Sequence, residues 1–118
     1  MTPTDPAFLA FLEAQRVDYR RSLPQRLAQI ESLWHQVLNG EAPAETLANL
    51  ERCAHRLAGS GGTFGFATLG DAARVLELAV NPLLDSAQAL TPETKTAVSQ
   101  AIEALQRSLS GETGTQGV

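Results

Sequence analysis

Hydrophobic residues recur every three or four positions along most of the chain, which is the spacing of one helix face. Between Asp5 and Asn39 this pattern predicts helix throughout, with one interruption at Pro24, which lacks a backbone N–H donor. Either the helix kinks at this proline or two helices meet there. The dipeptide Asn39-Gly40 then predicts a turn, and Pro43 is placed to begin the next helix.

Three further amphipathic stretches follow this turn. The first has an apolar face made of Leu47, Leu50, Ala54 and Leu57. The second runs from Phe66 to Val80, and the third begins after Thr91 as N-cap and reaches Leu109. No stretch alternates as a strand does. The pattern predicts an all-α, antiparallel four-helix bundle with an additional N-terminal helical segment over residues 1–109, followed by a flexible tail or linker over residues 110–118.

Composition and charge narrow the classes of function. The 118 residues are 43% hydrophobic and 19% charged, as in one ordinary globular domain. The net charge of −4 comes without a basic block, which argues against nucleic acid as a partner. No apolar run is long enough for a membrane span, the N-terminus lacks signal-peptide features, and the single cysteine excludes an internal disulfide. We therefore expect a cytoplasmic protein that does not bind membranes.

One segment, AHRLAGSGGTFGF at residues 54–66, combines a histidine with four glycines in seven positions. It is not a phosphate-binding loop, because Phe66 rather than lysine follows the last glycine and a helix rather than a strand precedes the first. The two histidines and one cysteine do not have metal-ligand spacing, so no metal site is expected. Ser60, His55 and Asp71 leave a hydrolase triad open on spacing alone, although no nucleophile elbow is present.

His55 is the candidate for chemistry in this segment. At about 100° per residue, it lies roughly 120° from the centre of the apolar face and should point to solvent. A neutral imidazole is a nucleophile near neutral pH, and its ring nitrogen can accept a phosphoryl group from an aspartyl phosphate. Gly59, one turn beyond, leaves the approach open, and Arg52 and Arg56 can supply positive charge.

The stretch AHRLAGSGGTFGFATLGDAARVLE resembles the core signature of the histidine phosphotransfer (HPt) domain. His55 occupies the position of the phospho-accepting histidine, and Gly59-Ser60 matches the small pair that follows it. The other matching positions are Leu57, Gly65, Leu69, Leu76 and Glu77. The resemblance implies that the helix continues through the glycines instead of ending at Gly59.

The sequence departs from the HPt pattern at one position. The family usually has a lysine three residues after the histidine, beside the phosphorylated ring, and this chain has Ala58. Arg52 lies about 60° around the helix from His55 and is expected to take over this role. Arg56 points about 100° away and is the poorer candidate.

The resemblance implies a phosphorelay carrier. His55 would accept a phosphoryl group from a receiver-domain aspartate and pass it to another, with a response-regulator receiver domain, a hybrid sensor kinase or both as partners. We expect a monomer that is not an enzyme, has no ATP site and needs no cofactor, since the receiver would supply magnesium. The alternative is an HPt-like docking or dimerisation bundle without transfer activity, and the absent lysine is its main support. The polar tail suggests a link to a downstream domain.

Overall fold

A computed structural model of the protein describes residues 5–41, 43–84 and 90–114. Four helices account for most of them: α1 (Pro6–Leu38), α2 (Pro43–Gly61), α3 (Ala67–Val80) and α4 (Pro92–Gly114), with a short 3₁₀ helix at Asn81–Leu84. These described segments contain no strand. The all-α four-helix prediction is confirmed.

Helix α1 is a single helix with Pro24 inside it, so two helices do not meet at this residue. The helix begins where the Asp5 carboxylate accepts a hydrogen bond of 2.9 Å from the Ala7 amide, with Pro6 in the first turn. Pro24 itself is exposed, whereas Leu23 and Leu27 on either side of it are buried. Packing of that face outweighs the roughly 3 kcal/mol that proline costs inside a helix.

The additional N-terminal segment is the first part of α1 and not a separate helix. None of residues 6–18 is buried, and Leu9, Phe11 and Leu12 are each about half exposed. The longest dimension of the molecule is 53 Å, close to the length of about 50 Å expected for a helix of 33 residues. The start of α1 therefore extends beyond the bundle.

The helices form a closed antiparallel ring in which α2 packs between α1 and α3, and α4 packs between α3 and α1. A hydrogen bond of 2.7 Å from Tyr19 to Ser60 joins α1 to α2, and one of 3.2 Å from Trp34 to Ser99 joins α1 to α4. The predicted apolar faces line the shared core, whose largest fully buried side chains include Phe66, Leu23, Ile30, Leu50, Leu57, Leu69, Leu76 and Leu105.

Two glycines set the spacing between α2 and α3. A Cβ atom on Gly61 would lie 2.8 Å from the Gly70 Cα atom and 3.0 Å from the Phe66 carbonyl oxygen. The two backbones are therefore too close for any side chain at Gly61. Gly65, with φ of 87°, closes the turn between the two helices in a conformation that favours glycine.

The C-terminal boundary differs from the prediction. Helix α4 starts as expected, with the Thr91 hydroxyl accepting a 3.2 Å hydrogen bond from the Thr94 amide. It runs to Gly114, five residues past the predicted end at Leu109. Of the predicted tail, residues 115–118 lie outside the described segments. None of the helices described is long and apolar enough to cross a membrane.

Candidate functional site

The imidazole of His55 projects from the middle of α2 with 69% of its side chain exposed. The opposite face of α2 is buried in the core through Leu47, Leu50, Ala54 and Leu57. This placement confirms the rotational prediction. It fixes the backbone of His55 on a packed helix while the ring remains open to a partner.

One ring nitrogen of His55 is held by a carboxylate from α3. The distance from His55 Nδ1 to Glu77 Oε2 is 2.7 Å, and the Glu77 side chain is only 13% exposed. A carboxylate accepts hydrogen bonds, so Nδ1 carries the proton and donates it. In the neutral ring this leaves the lone pair on Nε2, at the exposed edge, which is the arrangement of a nucleophilic imidazole.

The glycine contact between α2 and α3 places Glu77 within reach of His55. His55 lies six residues before Gly61, and Glu77 lies seven residues after Gly70. At 1.5 Å per residue, these separations are about 9 Å along α2 and about 10 Å along α3. Because the two helices are antiparallel and Gly61 contacts Gly70, His55 and Glu77 lie side by side. The close approach at the glycines therefore positions the hydrogen bond one to two turns away.

The two arginines proposed beside His55 have different surroundings. Arg52 donates a hydrogen bond to the side-chain oxygen of Asn49, one turn earlier in the helix. Arg56 lines a groove between α1 and α2 together with Arg26 and Cys53. The ring of His55 instead leans toward Glu77 on α3.

Cys53 is not a second nucleophile. Burial raises the pKa of its thiol, although the nearby charges of Arg56, Arg52 and Arg26 act in the opposite direction. A raised pKa keeps the thiol protonated near neutral pH, and the thiolate is the reactive form. The side chain of Cys53 is partly buried and packs against the core.

Ala58, Gly59 and Ser60, the third to fifth residues after His55, have different surroundings. Ala58 is half-buried and packs against the core. A Cβ atom on Gly59 would meet nothing within 4 Å, so the space beyond His55 is open. Ser60 donates to the Arg56 carbonyl oxygen at 2.8 Å and accepts from the Tyr19 hydroxyl, which makes it a link between α2 and α1.

The hydrolase triad left open by spacing is not assembled. His55 bonds to Glu77 and not to Asp71, and the Ser60 hydroxyl is engaged on the α1 side. Glu77 was matched in the sequence only as the end of the signature, and its contact with His55 was not foreseen. The sequence signal for this contact is the separation of 22 residues between His55 and Glu77, which places them opposite each other in two antiparallel helices joined by a short turn.

A family model described as the Hpt domain matches residues 16–108. The chain belongs to the Hpt domain family. Hpt domains are phosphocarriers of phosphorelays that transfer phosphoryl groups through histidine and have no kinase activity of their own. They interact with receiver domains and kinases. No curated protein and no solved structure gave a significant match.

The family match covers the bundle but not all of α1. It begins at Arg16, three residues before the first buried residue of α1, Tyr19. The exposed start of α1 therefore lies outside the matched region. All of α2 and α3, which carry His55 and Glu77, lies inside it.

Proposed function

We propose that His55 of this Hpt domain accepts a phosphoryl group from an aspartyl phosphate on a receiver domain and passes it to an aspartate on another. The observation that carries the proposal is the state of the ring. Nδ1 is held by Glu77 at 2.7 Å, while the rest of a side chain that is 69% exposed faces outward. Nε2 is then both accessible and free to attack.

The transfer follows from this tautomer. The Nε2 lone pair attacks phosphorus, the new P–N bond forms, and the P–O bond to the aspartyl carboxylate breaks with the carboxylate as leaving group. The ring becomes positively charged, and the Glu77 carboxylate stabilises that charge through the Nδ1 proton. Onward transfer reverses these steps, with the neutral ring as leaving group.

The partner supplies what this chain does not offer. A receiver domain brings the aspartate and, in this proposal, the magnesium ion that neutralises the phosphoryl oxygens. A hybrid sensor kinase that carries such a receiver is a suitable donor. The open space at Gly59 leaves room for the partner to approach Nε2.

Transfer from labelled partners tests this function. The protein is mixed with a panel of receiver domains carrying a radioactive phosphoryl group, and acid-labile label on the chain is measured. We expect label from at least one receiver. Binding to receivers without any transfer would favour the alternative, a docking bundle in which Ala58 in place of lysine has removed activity.

Replacing Glu77 by glutamine tests the role assigned to the carboxylate. Glu77→Gln keeps the size of the side chain but removes the charge that stabilises the phosphorylated ring. A hydrogen bond to a charged group contributes about 1.5–3 kcal/mol, so we expect transfer to slow by about 10- to 100-fold. Nitrogen NMR of the His55 ring should also show Nε2 partly protonated. An unchanged rate and tautomer would remove Glu77 from the mechanism.

Replacing the arginines tests the predicted substitute for lysine. An exposed charge near a phosphoryl group has a small effect, so Arg52→Ala should shorten the phosphohistidine lifetime by about two- to fivefold. Arg56→Ala should do less, and Ala58→Lys should partly rescue Arg52→Ala. The decay of label is measured for each variant. Equal lifetimes across the set would show that water alone stabilises the phosphoryl group.

A further inference from the structure

His55 belongs to a cluster of three potential metal ligands. One ring nitrogen of His55, a Glu77 carboxylate oxygen and a Glu51 carboxylate oxygen all lie within 4.8 Å of one another, and the nitrogen nearest Glu77 is Nδ1, 2.7 Å from its Oε2 atom. Glu51 and Glu77 are each partly buried, and His55 is exposed. The spacing of histidine and cysteine alone predicted no metal site, because it leaves the carboxylate ligands Glu51 and Glu77 out of account.

The positions of the three residues suit chelation. Glu51 and His55 are four residues apart on α2 and therefore lie one above the other on the same face, a spacing used by helical zinc ligands. Glu77 reaches the same point from α3, which the glycine contact holds close. Zinc binds nitrogen and oxygen ligands at about 2.0–2.2 Å, so atoms that lie within 4.8 Å of one another are close to the separation that one ion can bridge.

We propose that Glu51, His55 and Glu77 form a binding site for a divalent transition-metal ion of the zinc class, and that the bound ion switches off the phosphoryl acceptor. The regulatory part of this proposal rests on the proposed function of His55. Its binding part stands on the ligand cluster alone.

The switch is a change of tautomer. Without the ion, Nδ1 carries the proton toward Glu77 and Nε2 holds the lone pair. When the ion takes the Nδ1 lone pair, the proton of the neutral ring moves to Nε2. A protonated Nε2 cannot attack phosphorus, so ion binding and phosphoryl acceptance by the free ring exclude each other.

The ligand set discriminates between metals. One imidazole nitrogen with two carboxylates favours zinc-class ions, whereas magnesium prefers an octahedral set of oxygens and retains its waters. Magnesium supplied by a receiver partner would therefore leave this site to the transition metal. The magnesium needed for phosphotransfer and a regulatory ion of the zinc class could therefore be present together without competing for this site.

Binding is tested by calorimetric titration of the protein with Zn²⁺ in excess Mg²⁺, together with nitrogen NMR of both histidine rings. We expect one ion per chain and the proton of His55 on Nε2, with the exposed His35 unchanged. Glu51→Gln should weaken zinc binding at least about tenfold, because even the loss of a residue that only hydrogen-bonds to a metal ligand typically lowers metal affinity by that much. Glu103→Gln, at an exposed position on α4, is the matched control and should bind as the wild type does.

The regulatory part is tested with phosphoramidate, a small phosphoryl donor that needs no protein partner. At a Zn²⁺ concentration that saturates the wild type but not Glu51→Gln, phosphorylation of His55 should slow at least about tenfold in the wild type and far less in the variant. The proposed binding site would be overturned by equal zinc affinity in the wild type and Glu51→Gln, or by equal zinc-induced NMR shifts of the ring nitrogens of His35 and His55. Inhibition that persists in Glu51→Gln would overturn the switch. Zinc binding with no transfer from any receiver would instead contradict only the proposed function.

Discussion

His55→Gln should abolish phosphoryl transfer while the bundle stays as stable as the wild type. Glutamine has no nucleophilic nitrogen, and loss of the group that forms the covalent intermediate should lower transfer by at least about a thousandfold. Its amide can still donate a hydrogen bond to Glu77, so the half-buried carboxylate keeps a partner. Substitutions at exposed positions typically change stability by about 0.5 kcal/mol or less.

The matched control is His35→Gln, which changes the other histidine at an exposed position on α1. It should transfer as the wild type does. Transfer is measured by label from a phosphorylated receiver, and stability by urea unfolding followed by circular dichroism. A large loss of stability in His55→Gln would place the ring in the core, against its 69% exposure.

Gly61→Ala should destabilise the whole bundle. The added Cβ atom would lie 2.8 Å from the Gly70 Cα atom and 2.9 Å from the Gly70 nitrogen, both backbone atoms that cannot rotate away. Forcing helices apart in a packed core costs about 1–3 kcal/mol, more than the gain in helix propensity of about 1 kcal/mol. Because this contact also positions Glu77, transfer should slow in the protein that remains folded.

Gly59→Ala is the control for this prediction, since its Cβ atom would meet nothing within 4 Å. It should leave stability unchanged or raise it by up to about 1 kcal/mol. The free energies of unfolding of both variants are compared in urea. Equal stability of the two would show that α2 and α3 do not depend on the close contact.

The helices and the exposure of His55 follow from local sequence rules. Apolar spacing placed the core face of α2 on Leu50, Ala54 and Leu57, and the same rotation placed His55 outside it. The N-cap at Thr91 and the start of α2 at Pro43 also depend on residues adjacent in the chain. Features that arise within one helix were therefore predictable from one sequence.

The features that join helices were not predictable in this way. The sequence pattern predicted that Gly59 leaves the approach to His55 open, but it did not predict that Gly61 packs closely against Gly70. Continuity at Pro24 depends on burial of neighbouring leucines in the tertiary core. The approach of Glu77 and Glu51 to His55 requires the register of α2 against α3, which no periodicity within either helix specifies.

The most direct test of the account is to identify the atom that carries the phosphoryl group. Nitrogen-15-labelled protein is phosphorylated by a receiver, and NMR coupling between phosphorus and the ring nitrogens is measured. The tautomer set by Glu77 predicts coupling to Nε2 of His55 and none to His35. Coupling to Nδ1 of His55, or to any other residue, would contradict it.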